Sequence, residues 1–401
     1  MAYASTHPSV LSVVIEVEFL VAVEKDGHKY NNNNTAAAGN DTEGTASQIH
    51  KWACPSQADD PSMDVLRQCK AVLSRDHANV IIRHNETHLT ERSWQSARFD
   101  SWILQPCHRG SSASSGSPTN YDWSGVKLRS PLMPDTQLTG DPSPALRCVE
   151  ALRRAILIRV DASCKLSVSL RPGSNFTPVQ AKKLATLVWL TERDLLVPLR
   201  HLGRDVAAVA CPRPVTTASL AAISRHGQTV DAAEPLDPLL EGIMNSHLPT
   251  GLGDAAARSC LQRLWACPDL ARLSGALRDR HRGPLAFALY VYDDDDDAED
   301  SGASCCAVAS FRCAPWHPRR GLDVSPLWTD LVLALGRATS LAPERFKSLV
   351  AEIDDVNCAS RRGDAHGASH RTRLMKALGT GDARCAEWER IVADCRNGGA
   401  P

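Results

Sequence analysis

No uninterrupted apolar run in this sequence approaches the ~20 residues that a membrane-spanning helix needs, so no helical membrane span is expected. Neither sign of charge prevails. Lys and Arg number 45 against 46 Asp and Glu, a formal charge of −1, which leaves no basic field to draw nucleic acid or an anionic membrane. The first 25 residues lack a basic n-region, and their apolar stretch is broken by two acids, so no signal peptide is expected. The sequons at Asn40, Asn85 and Asn175 carry no meaning without secretion. The 14 cysteines are scattered and never form a CxxC pair, which fits reduced intracellular thiols and a cytoplasmic protein. Also missing are a Walker phosphate loop, a GxSxG elbow and an HExxH helix. The short GLG at 251–253 and GTG at 379–381 do not make a nucleotide fingerprint.

What the chain does have is length, 401 residues with 43% apolar and 23% charged, enough for one large core or two ordinary ones. Its most β-prone run is Val13 to Val23, VVIEVEFLVAV, which carries two acids where a buried strand should carry none. In an extended chain Glu16 and Glu18 project to one face with Val14 and Leu20, and Ile15, Val17 and Phe19 to the other. Two carboxylates so placed repel each other and lose hydration unless a cation sits between them. That suits a divalent-metal site with oxygen ligands. The alternative is an edge strand whose acidic face looks into water.

Residues 24–62 are rich in Asn, Gly, Thr, Ser and Asp and read as a long irregular insertion, as does the low-complexity stretch 108–120. Helical spacing appears from Pro61 to Asp76 and over 143–156. Thr177–Pro178–Val179–Gln180 is a capping box that opens a helix running to about Leu196. Further helices are expected near 216–226, 235–245, 255–277, 324–338, 342–355, 370–378 and 381–396. Strands are expected at Val80–Ile82, Trp102–Leu104, Tyr121–Met133 and Leu157–Leu170. Phe287–Tyr292 and Cys306–Cys313 are expected to pair as a hairpin across the acidic loop Asp293–Asp300. The five consecutive aspartates of that loop lack EF-hand spacing and read as a solvated run. With about five or six sheet-forming strands, the class is α+β, a largely antiparallel curved sheet packed by helices. The organisation expected is a tail (1–12), one domain (13–358) with mobile insertions, and a C-terminal helical segment (359–401) joined by a flexible basic stretch, 359–371.

The order of motifs resembles the fungal amidoligase family, whose fold is similar to glutamine synthetase and other carboxylate–amine ligases. VVIEVEFL is similar to the family's opening Gly-Val-Glu-(apolar)-Glu-Phe strand and keeps Glu16 and Glu18. DWSGVKLRSP resembles its Trp-x-Gly-Val-Glu-(apolar)-Arg-Ser-Pro strand at Trp123, Gly125, Val126, Arg129, Ser130 and Pro131. SCKLSVS resembles its Ser-Cys-Gly-Leu-His-Val-His strand at Ser163, Cys164, Leu166 and Val168, followed by a helix with Trp189 and Glu192 in matching places. ASFRC, with Phe311 and Arg312 and then Trp328, resembles its Ile-Glu-Phe-Arg-Gln strand and tryptophan-bearing helix.

That resemblance implies ATP-dependent amide formation, in which a carboxylate is phosphorylated and an amine displaces the phosphate, with a peptide or protein among the candidate substrates. It implies ATP and Mg²⁺ as cofactors, Glu16 and Glu18 as metal ligands, and Arg129 and Arg312 as catalytic and cofactor-binding groups for phosphate or substrate carboxylate. For either arginine a strand-surface ion pair is the plainer role. The chain also departs from the pattern. Lys127 stands for the family's glutamate, Lys165 for its glycine, Ser167 and Ser169 for its two histidines, and Ser310 for the glutamate ahead of Phe-Arg. These exchanges remove metal-competent groups, and a lysine ammonium beside Glu16 and Glu18 would replace an ion electrostatically. Two readings follow, an amidoligase with weakened or lost catalysis, and a non-catalytic descendant that binds a ligand or protein through the old cleft. Elsewhere Cys164 reads as a buried structural thiol rather than a nucleophile. His366 and His370 read as exposed loop histidines, because Gly363 and Gly367 disfavour a helix. Cys305, Cys306 and Cys313 show no tetrahedral zinc set.

Overall fold

The computed structural model describes residues 11–26, 51–75, 79–83, 99–107, 121–138, 144–160, 164–173, 175–196, 237–252, 255–277, 287–293, 305–313, 325–362 and 368–396. The helix expected over 216–226, the insertion 108–120, Ser163, His366 and the aspartates after Asp293 lie outside them. The chain divides into two units, Val14–Lys165 and Met1–Val13 with Leu166–Pro401.

In the first unit β1 (Leu11–Glu24, counted here from Val14) is followed by α1 (Pro61–Leu73), β2 (Val80–Ile82), β3 (Trp102–Pro106) and β4 (Tyr121–Arg129). Then come β5 (Met133–Pro134), α2 (Pro144–Ala155) and β6 (Ile158–Arg159). β1 pairs antiparallel with β4 from Glu16↔Arg129 to Glu24↔Tyr121, and β3 runs antiparallel along β4's other side. β2 adds to β3 in parallel. The second edge of β1 is also taken. β6 pairs with Leu20 and Val21, and the Glu18 amide donates to the Lys165 carbonyl at 2.9 Å. The edge-strand alternative for the acids therefore fails, because the backbone of β1 is hydrogen-bonded on both sides.

Local sequence explains these elements. α1 starts where Asp60 caps the Met63 amide at 3.0 Å and Pro61 occupies the first turn, and it buries Val65, Leu66, Cys69, Val72 and Leu73. Burial pushes the Cys69 thiol up to about 12, so it packs as an inert hydrophobe. α1 lies on β2, β3 and β4, and Val17, Phe19, Leu104, Val126 and Leu128 form the buried face of this sheet. Of the stretch read as an irregular insertion, 51–60 is held by bridges from Cys54 to Val23 and from Trp52 to Ile156. Gly125 is required where it stands, since a Cβ there would run into the backbone carbonyl oxygen of Cys107, an obstacle that no rotamer change removes.

The second unit contains β7 (Leu166–Pro172), α3 (Pro178–Thr191, continuing as a π turn over Glu192–Leu196), α4 (Pro238–His247), α5 (Ala255–Ala266) and α6 (Leu270–Leu277). It continues with β8 (Phe287–Asp293), β9 (Cys305–Cys313), α7 (Ser325–Ala338), α8 (Pro343–Arg362), α9 (Ala368–Ala377) and α10 (Asp382–Arg396). β9 lies antiparallel between β7 and β8, and its expected pairing with β8 sets Phe287 opposite Phe311. α6 packs on β8, and α7 on β7 and α3. The expected capping box of α3 is present, Thr177 and Gln180 bonding reciprocally at 3.1 and 3.0 Å. The helix expected over 255–277 is instead two, because Pro268 cannot donate and Asp269 caps a new start through the Arg272 amide at 2.7 Å. Of the stretch 359–371, expected to be flexible, 359–362 belong to α8 and 368–371 to α9, and 363–367 lie outside the described residues.

The fold is thus mixed α and β with open, mostly antiparallel sheet structure, as the α+β class required. Among the described residues nine strands replace the five or six expected, in part because Leu157–Leu170 splits into β6 and β7.

α3 is buried almost all round and carries two lysines inward, Lys182 at 2% and Lys183 at 4% exposed. Lys182 Nζ donates to the Trp265 carbonyl at 2.8 Å and Lys183 Nζ to the Leu341 carbonyl at 2.6 Å. Each tethers a carbonyl at or beyond a helix C-terminus, where a positive group is favoured. Burial lowers both amines, Lys183 to about 8 from 10.5. Between those values the unfolded chain holds a proton that the folded one has lost, so stability climbs as pH rises through that window. The full effect is on the order of 3 kcal/mol. Chemical denaturation from pH 8 to 10.5 should show this rise in the native chain, and Lys183→Met should flatten it.

Candidate functional site

The register of the first unit gathers its polar residues on the sheet face opposite Phe19 and Val126. Glu16 faces Arg129, Glu18 faces Lys127, and Leu20 is flanked by Gly125 and Arg159. On β3, Gln105 stands beside Lys127 and Ile103 beside Arg129. The Arg159 guanidinium lies 5.7 Å from the Trp123 ring centroid, within cation–π range. Most of these side chains are half-buried, and Glu18 is 9% exposed.

At the centre Lys127 Nζ lies 3.1 Å from Glu16 Oε1 and 3.9 Å from Glu18 Oε1. The other oxygen of Glu18 accepts from the Lys165 amide at 3.2 Å. The Lys165 backbone thus bonds Glu18, and Lys127 brings an ammonium to both acids. The repulsion between the two acids is offset by a covalently attached cation on the neighbouring strand. Below them Ser130 holds the ladder where Pro131 cannot. Its hydroxyl accepts from the Ile15 amide at 2.9 Å and its own amide donates to the Ile15 carbonyl at 2.8 Å.

These residues do not fit a divalent ion. Magnesium needs close octahedral oxygen coordination, and here an ammonium stands at the two carboxylates. No group of three or more His, Cys, Asp and Glu able to hold a metal occurs among the described residues.

The remaining family-like positions lie in the second unit, again sharing a face. Ser167 is opposite Arg312 and Ser169 opposite Ser310. The Ser167 and Ser310 hydroxyls are 3.2 Å apart and buried, and Arg312 Nη2 donates to Tyr290 Oη at 3.1 Å. Hydroxyls here are hydrogen-bonded to each other where the family-like pattern would place imidazole and carboxylate. Glu192 is 1% exposed in the π turn, and Trp328 is fully buried in α7.

Two sequence readings need restating. Cys164 is indeed a buried thiol, 2% exposed. His370, expected in an exposed loop, is 2% exposed on α9, with Nε2 3.3 Å from Asp194 Oδ2. The expectation failed because Gly367 lies ahead of α9 rather than inside it. Sequence reasoning missed Arg159 and Gln105, and it named Trp123 without its cation–π partner Arg159. The alternation around Arg159 was legible, but its strand partner was not.

Comparison with family models, curated proteins and solved structures finds no match. No described helix is long and apolar enough to cross a membrane.

Replacing Lys127 by Met should remove the ammonium that stands between the two carboxylates. Melting temperature should fall, and millimolar Ca²⁺ or Mg²⁺ should restore part of it. In the native chain the same ions should change it little, because the ammonium already fills that role. Thermal unfolding with and without the divalent ion reads both effects.

Proposed function

We propose that this chain is a divergent amidoligase-type protein, built on a glutamine synthetase-like scaffold, in which the acid pair has been closed by Lys127. On this reading the polar face binds a ligand or a partner's polar segment and no longer carries out magnesium-dependent phosphoryl transfer. The observation that supports it is the ammonium 3.1 Å from Glu16 and 3.9 Å from Glu18. Acyl-phosphate chemistry needs a divalent ion to bridge phosphate oxygens and neutralise developing charge. An ammonium contributes one charge and no coordination sites. The exchanged serines point the same way, since Ser167 and Ser310 satisfy each other by a hydroxyl contact.

The catalytic reading keeps Glu16 and Glu18 as metal ligands and Arg129 and Arg312 as the groups that hold ATP phosphates or a substrate carboxylate. It requires Lys127 to swing away when Mg²⁺ and ATP bind.

Calorimetric titration with ATP, with and without Mg²⁺, separates the two. The proposal expects no magnesium-dependent nucleotide binding and no ADP release on adding carboxylate and amine substrates. Magnesium-dependent ATP binding that is lost in Glu16→Gln would overturn it in favour of the active ligase.

A further inference from the structure

A groove of about 500 Å³ runs between α8 and α9 in the second unit, remote in sequence from the polar sheet face. One wall carries Glu352 and Asp355 of α8, the other Arg373 and Lys376 of α9, with Ala351 and Val356 also lining it. Each pair is spaced i,i+3, so each helix presents a row of one sign. Nothing on the same helix offsets it. The positions four residues before and after the two acids are Ser348, Val356, Ala351 and Ala359, and those around the two bases are Ser369, Ala377, Thr372 and Thr380. Like charges at such spacing are mildly destabilising on a helix, and packed helices of opposite charge ordinarily relieve this by pairing across the contact. Here no ion pair crosses the groove among the described residues. Lys376 turns away instead, its ammonium 2.7 Å from Asp382 at the start of α10. Arg373 is the other cation lining the groove among the described residues.

We propose that this groove binds a small zwitterion, an amino acid or dipeptide. Its ammonium lies between Glu352 and Asp355, its carboxylate is held by the planar fork of Arg373, and its apolar stem rests on Ala351 and Val356. The guanidinium suits a carboxylate because it bonds both oxygens at once. Two acids suit one ammonium, which has three donors to share. The volume is that of a small-molecule site, whose range is roughly 300–1,000 Å³. The charged walls are solvent-exposed, so affinity is expected in the millimolar range.

The test titrates the full chain with glycine and with glycylglycine, using acetate and methylammonium as single-charge controls, and follows the Arg373 and α8 resonances by NMR. Saturable shifts for a zwitterion are expected, with the controls at least about tenfold weaker. Arg373→Gln should weaken binding about tenfold, and Lys376→Gln by less than about twofold, both with an unchanged melting temperature. The proposal is overturned if no titration saturates or if the controls bind as well as the zwitterions. It is also overturned if Arg373→Gln lowers the melting temperature while leaving affinity intact, because the charged rows would then serve only to join the two helices.

Discussion

An ammonium held against two carboxylates on a doubly paired strand is the interaction on which the polar face depends. β1 is hydrogen-bonded on both edges, to β4 and to β6 with Lys165. Its register cannot slip, because a shift by one residue would turn Val17 and Phe19 to the polar face and the acids into the core. Glu16 and Glu18 are therefore committed to one face at close spacing, with Glu18 nearly buried. Such a pair demands positive charge, and β4 supplies it from Lys127, directly across from Glu18. A free ion would meet the same demand reversibly, whereas a tethered ammonium meets it permanently.

The same logic of satisfying buried groups locally runs through the rest of the chain. Ser130 takes the place of a ladder bond where Pro131 ends the strand. An unpaired Ile15 amide at that depth would cost about 1–3 kcal/mol. Lys182 and Lys183 in the second unit bury their amines against carbonyls near helix ends and over the rings of Trp265 and Phe346. No acid lies within ion-pair distance of either among the described residues. They hold helices together at an electrostatic disadvantage that packing offsets.

Much of this was legible in the sequence, and the limits were physical. Local signals worked where the information is local: the Thr177 capping box, Pro61 at the head of α1, the alternation of β4, and the hairpin of β8 and β9. What depends on the partner strand was not legible. Nothing in VVIEVEFL tells whether its second edge is free, so the edge and central readings stayed open until β6 and Lys165 were seen beside it. Lys127 and Lys165 were equal candidates to meet the acids. The register Glu18↔Lys127 puts the Lys127 ammonium at both acids, and the Lys165 amide also donates to Glu18. His370 and the break at Pro268 show local reading going astray, the first through glycines that bound a helix rather than preventing it, the second through apolar periodicity continuing across a proline.

The central claim is that Lys127 excludes a divalent ion from the acid pair. It is tested most directly by crystals of the native chain soaked in Mn²⁺, with anomalous difference maps calculated at the Mn absorption edge. The account predicts no anomalous density at Glu16 and Glu18, with Lys127 Nζ remaining between them. A manganese peak coordinated by both carboxylates, with Lys127 displaced, would contradict it.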